Sequence, residues 1–148
     1  MISGNSIAET TLAVLELLNG QCPRERFAQA MFAAYQPDDF TSPMEEGVSL
    51  YLFQVDWEHH LQRAPGSAGL PLRPPLRVSY LMTAWSPDPL RQQQILGWAL
   101  DVVQANAVLG QHGTLEILPL TIADMAAVWS MARAGAQPSV AIMVRGIL

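Results

Sequence analysis

The chain has 148 residues, half of them hydrophobic and only 14% charged, with a net charge of −5 at pH 7. That length suits one domain with one sizeable core. Its basic residues are eight scattered arginines and no lysine, which argues against a nucleic-acid footprint, Schiff-base chemistry and a phosphate-loop lysine.

A folded monomer of this size exposes about 7,400 Å², so its charges average roughly one per 350 Å². Such sparse charge implies apolar or neutral surface that meets another subunit. The N-terminal MISGNSIAE has no basic n-region, so no signal peptide is expected. No run reaches about 18 apolar residues, so no membrane span is expected. Cytoplasmic assembly follows. Cys22 stands alone, which leaves no internal disulfide and no cysteine-cluster metal site.

Ser6 and Glu9 fit a capping box and Gly20 a C-terminal stop, predicting a helix from about Ile7 to Asn19. Glu9, Ala13 and Glu16 would form its narrow wet stripe. Arg26–Tyr35 suits neither period cleanly; a strand is preferred over a short helix. Gln36–Asp39 reads as a turn. Gly47–Val55 (GVSLYLFQV) reads as a strand, with Val48, Leu50 and Leu52 on one face and Tyr51, Phe53 and Val55 on the other. Ala64–Pro75 is a Pro- and Gly-rich loop, the length of a projecting arm or an inter-subunit contact.

Leu76–Trp85 (LRVSYLMTAW) is the next strand. Ser86 is expected to cap a helix with Pro87 at its first position, running to about Ala107. Gln94, Gly97, Asp101 and Gln104 form its polar stripe. A turn over Gly110–Gly113 and a short strand over Thr114–Leu118 follow. A helix capped at Thr121–Asp124 then runs to about Ala134, with Ile122, Met125, Trp129 and Ala132 on one face. Ser139–Ile147 is the last strand. The order predicts an α/β sandwich: a mixed sheet flanked by helices, in a single domain over residues 1–148.

Chemistry is sparse. Asp56, Glu58, His59 and His60 form the best polar cluster. Adjacent histidines point apart on a strand or a helix, and the His-Glu-x-x-His spacing is absent. No catalytic, metal or cofactor residue is therefore assigned. The competing reading is a small enzyme or ligand-binding domain using Glu58, His59 or His60. No nucleophile elbow, dinucleotide loop or phosphate loop is present. Trp57, Trp85, Trp98 and Trp129 suit packing better than a ligand cage.

Four stretches carry a resemblance: GVSLYLFQV (Gly47–Val55), PPLRVSYLMTAWSPDP (Pro74–Pro89), ILGWALDVVQANAVL (Ile95–Leu109) and the closing ILPLTIADMAAVWSMARAGAQPSVAIMVRGI. In this order they resemble the cap, or tail-terminator, proteins of contractile injection systems, in their N-terminal-domain family. Val128-Trp129-Ser130 departs conservatively from that family's Leu-Trp-Ser. The resemblance implies a structural protein, not an enzyme, without a cofactor. It implies a homohexameric ring that ends the inner tube and sheath of a phage-tail-like particle, with no nucleic acid and no membrane insertion. Another tail adaptor or connector is the nearest alternative. The expected contacts with a neighbour or the sheath are Trp57, His59, His60, Arg63, Arg73 and Arg77.

Overall fold

The computed structural model describes residues 6–58 and 75–147. His59, His60, Arg63, Arg73 and nearly all of the expected Ala64–Pro75 loop lie outside the described residues. Three α-helices and five strands follow the expected order: α1 (Ser6–Gln21), β1 (Met31–Tyr35), β2 (Gly47–Trp57), β3 (Leu76–Trp85), α2 (Pro89–Ala105), β4 (Thr114–Ile117), α3 (Ile122–Ala132) and β5 (Ser139–Ile147). Short 3-10 turns over Pro37–Thr41 and Gly110–His112 complete it.

The strands form one mixed sheet in the order β1-β2-β3-β5-β4. β1 runs parallel to β2, and every other pair is antiparallel. The central strand β3 buries every residue but Arg77, as expected of a strand covered on both faces. One face carries Val48, Leu50, Val78, Tyr80, Met82, Ile142 and Val144 under α1 and α2, which contribute Val14, Leu18, Ile95 and Val103. The opposite face carries Leu81 and Trp85 beneath Phe40 and the α3 residues Val128, Trp129 and Ala132. The mixed sheet with flanking helices is the architecture expected from the sequence.

Polar atoms inside these layers are satisfied. The Trp85 indole donates to Ser49 Oγ at 2.8 Å, and the Tyr80 hydroxyl meets Thr11 Oγ1 at 2.7 Å. Phe40 packs edge-on to Tyr35, Tyr51 and Trp129. Three of the four tryptophans, Trp85, Trp98 and Trp129, pack against other rings.

Several boundaries differ from the sequence expectation. α1 continues through Gly20 to Gln21, so Gly20 does not stop it. β1 occupies only the second half of Arg26–Tyr35, because Arg26 and Phe27 both turn back to donate to the Pro23 carbonyl. α2 starts at Pro89 with Asp88 as its cap, two residues later than a Ser86 cap would place it. Ser86 Oγ instead accepts from Asp88 N–H at 3.2 Å. Asp88 precedes a proline, and that position disfavours helical backbone; the helix therefore begins after it.

β2 contains a bulge at Phe53. The extra residue inverts the alternation beyond it. Val55 pairs with Val78, so it shares the face of Val48, Leu50 and Leu52 rather than that of Tyr51. On α3, Ile122 leaves the expected core line: it is 91% exposed, and Val128 is buried with Trp129 and Ala132. Gly47 fixes the start of β2. Its φ is +142°, and a Cβ there would lie 1.9 Å from the Met31 carbonyl oxygen.

Candidate docking surfaces

Beyond the end of α3, one sheet face carries charge instead of apolar cover. Asp56 on β2 sits opposite Arg77 on β3, and Arg77 sits opposite Arg145 on β5. Two like charges in directly opposed positions repel. Acidic partners bracket them. Arg77 bonds Asp56 at 3.1 Å; Arg145 lies 3.6 Å from Glu58 and 3.3 Å from Glu116 on β4. The result is a charge ladder across four strands. Most of its members are partly exposed, and such pairs each contribute at most about 1 kcal/mol. Glu58 differs: it is 7% exposed and accepts the Gly146 N–H at 2.8 Å.

Of the residues expected at a contact, Arg77 lies in this ladder. Trp57 ends β2, pairs with Leu76 and is exposed. Paired residues share a face, so Trp57 and Leu76 lie on the α1–α2 side, opposite to Arg77. The structure therefore does not bring Trp57 and Arg77 onto one face. His59, His60, Arg63 and Arg73 fall outside the described residues. Glu58 is anchored within the sheet end rather than standing in a solvated cluster. Arg145 and Glu116 were not singled out from the sequence. Their signal was a charge on each of two otherwise apolar strands, readable only once β4 and β5 are known to pair.

A second surface lies at the β1 edge. A groove of about 400 Å³ runs between α1 and β1, floored by Leu12, Leu15, Met31 and Phe32 and rimmed by Glu16 and Asn19. Leu12 is 55% and Met31 57% exposed. A second hollow of about 500 Å³ shares Met31 and takes in Glu45, Glu46, Asp88 and Arg91. Arg91 pairs with Glu46 and donates to the Arg26 carbonyl at 2.7 Å; the Glu46 hydrogen bond raises the Arg91 pKa further.

A third surface is the outer side of α3. Ile122, Ala123, Ala126, Ala127, Ser130 and Met131 are exposed around it; Ile122 and Met131 stand on opposite flanks, and Met131 lines a hollow with Tyr35, Tyr51 and Leu52. Its charges stand at its ends, Asp124 in the first turn and Arg133 at the C-cap. Asp124 is engaged in a capping box with Thr121.

Among the described residues, no three His, Cys, Asp or Glu side chains are grouped to hold a metal ion. No described helix is long and apolar enough to cross a membrane.

The chain belongs to the Pvc16 N-terminal domain family, whose model matches residues 9–148. Its fold is similar to the sheath/tube terminator of PVC, an extracellular contractile injection system, seen by cryo-EM in the extended state. That similarity has a TM-score of 0.70 at 17% identity and covers 100% of this chain and 57% of that one. It is also similar to the tube-terminating cap of the anti-feeding prophage, with a TM-score of 0.66, 17% identity, and coverage of 95% and 55%. The chain thus spans a little over half the length of these solved chains. No curated protein sequence matches it.

Proposed function

We propose that the chain is a structural terminator of a contractile injection system, a homohexameric ring that ends the inner tube and sheath and stops their polymerisation. The observation that carries this reading is the family match over residues 9–148, joined to a fold shared along the whole chain with a sheath/tube terminator. The role needs no catalysis and no cofactor. It needs a rigid subunit, a lateral contact and surfaces for the tube and the sheath. The chain acts as one domain, assembles in the cytoplasm and becomes part of a phage-tail-like particle. It contacts no nucleic acid and inserts in no membrane.

Trp57 and Arg77 belong to the surfaces that meet the neighbouring subunit or the sheath, together with His59, His60, Arg63 and Arg73. Trp57 is exposed and Arg77 partly so, which supports their availability. Light scattering and electron microscopy of the purified chain, alone and with tube and sheath proteins, test the reading. Closed six-subunit rings are expected. A monomer that ignores both partners would contradict it.

A further inference from the structure

The two ends of the sheet are finished differently. At the β4 end the chain covers its own edge. Leu115 N–H donates to the Ala107 carbonyl at 2.8 Å, Leu109 N–H to Gly113 at 2.9 Å, and Val108 bridges Thr114. At the β1 end no such cover exists among the described residues. Met31 N–H turns inward to the Glu46 carbonyl. By strand alternation the main-chain groups of Phe32 and Ala34 face outward. The run is closed on either side of them. The Ala30 carbonyl accepts from Arg24 Nη1 at 2.8 Å, and Gln36 N–H donates to Asp39 Oδ2 at 2.7 Å. Between these caps the outward N–H and carbonyl groups of Phe32 and Ala34 meet no partner among the described residues. The sequence there, MFAAY, has no charge, proline or bulge, the usual devices that blunt an edge.

The two flanks of that edge differ in chemistry. Phe32 pairs with Val48 and shares its α1-facing side. A strand laid along β1 would turn every second side chain that way, onto the groove floor of Leu12, Leu15 and Phe32. The alternate side chains would turn to the side of Met31, where the neighbouring hollow holds Glu45 and Asp88. Glu16, Glu45 and Asp88 are exposed. The arginines Arg91 and Arg24 are committed, the first to Glu46, the second to Asn19 and the Ala30 carbonyl. The uncommitted charge beside the open edge is therefore acidic.

We infer that β1 takes up an extended segment of another protein as an added strand, one that alternates apolar and basic side chains. Main-chain hydrogen bonds to Phe32 and Ala34 hold it, and its alternate side chains set the specificity. The apolar set rests on Leu12, Leu15 and Phe32; the basic set turns toward Glu45 and Asp88. The occupant is a strand because the open groups are main-chain donors and acceptors. It is basic because the free charge at the edge is acidic. It is not the far edge of a second copy, since β4 is already covered by its own chain. The inference goes beyond the ring reading: it adds a partner-binding edge and does not depend on how the subunits assemble.

The test uses the full isotope-labelled chain and two short capped peptides, one alternating valine with arginine, the other valine with glutamate. Amide NMR reads the response at Phe32 and Ala34. The arginine peptide should shift both amides saturably and slow their hydrogen exchange. The glutamate peptide should bind roughly tenfold more weakly. Glu45→Arg, at an exposed position, should narrow or invert that preference. Ala34→Pro removes one outward donor and suits an edge strand; it should abolish binding, with far-UV circular dichroism verifying the fold. An arginine peptide N-methylated at every residue keeps its side chains, loses its main-chain donors and should not bind, which needs no variant at all. An arginine peptide that leaves Phe32 and Ala34 unshifted overturns the inference. So does equal binding of the two peptides, or binding that survives N-methylation. Slow exchange of both amides in the chain by itself would make a second copy the occupant and overturn it too. Ring formation is read separately by light scattering, so the two readings fail independently.

Discussion

Glycine shows how differently one residue type can act in this chain. Gly47 holds a φ of +142° with the Met31 carbonyl pressed against it. Gly47→Ala should cost at least about 2 kcal/mol through strain and steric conflict. Gly97 lies on the exposed side of α2 with open space where a Cβ would go. Gly97→Ala should stabilise by about 0.5–1 kcal/mol from helix propensity alone. Chemical denaturation of both variants checks the pair of signs. Tyr80 gives a pH dependence. Burial raises its pKa above 10.0, and the Thr11 hydrogen bond only partly offsets that. Folding therefore favours the neutral phenol. Its contribution is fully present below the unfolded value and is lost as pH rises through the folded one. Stability should fall above about pH 10. Tyr80→Phe should cost about 1 kcal/mol at pH 7 and flatten that alkaline loss, as urea titrations between pH 7 and 11 would show.

Elements were more legible than their edges. β3 and β5 were predicted with the bounds that the structure gives, because Pro75 and Ser86-Pro87 bracket β3 and Pro138 precedes β5. The start of α2 was misplaced because Ser86-Pro87-Asp88-Pro89 offers two Ser/Asp–Pro caps in a row. Asp88 wins: its carboxylate accepts from Leu90 N–H at 3.1 Å. Asp88→Ala should thus cost about 1 kcal/mol, whereas Ser86→Ala should cost less; thermal melts of the two variants would rank them. The β2 bulge was invisible because alternation counts residues and cannot see one left out of the ladder. Ile122 was assigned to the core on spacing alone, although the first turn of α3 presents it to solvent. Arg77 was picked out beside the Ala64–Pro75 loop, and the structure places it in a charge ladder on the sheet. Its partners Asp56 and Arg145 needed the register to be known.

At the scale of the molecule, composition had already pointed outward. A chain with so few charges must place apolar groups on its surface, and among the described residues the structure exposes Leu12, Met31, Val55, Trp57, Leu90, Val108, Ile122 and Met131. Leu12 and Met31 lie together beside the β1 edge, whereas Ile122 and Met131 stand on opposite sides of α3. The charge ladder of Asp56, Arg77, Arg145 and Glu116 occupies the remaining bare end of the sheet. Such a layout suits a subunit gripped from several directions, as a ring on top of a tube and sheath would be.

The most direct measurement is the length distribution of particles assembled with and without this chain, read by electron microscopy. With it, tubes and sheaths should have a uniform length and carry a ring at one end. Without it, lengths should become irregular and the ring should be missing. Particles of the same length and the same end structure in both samples would contradict the terminator role.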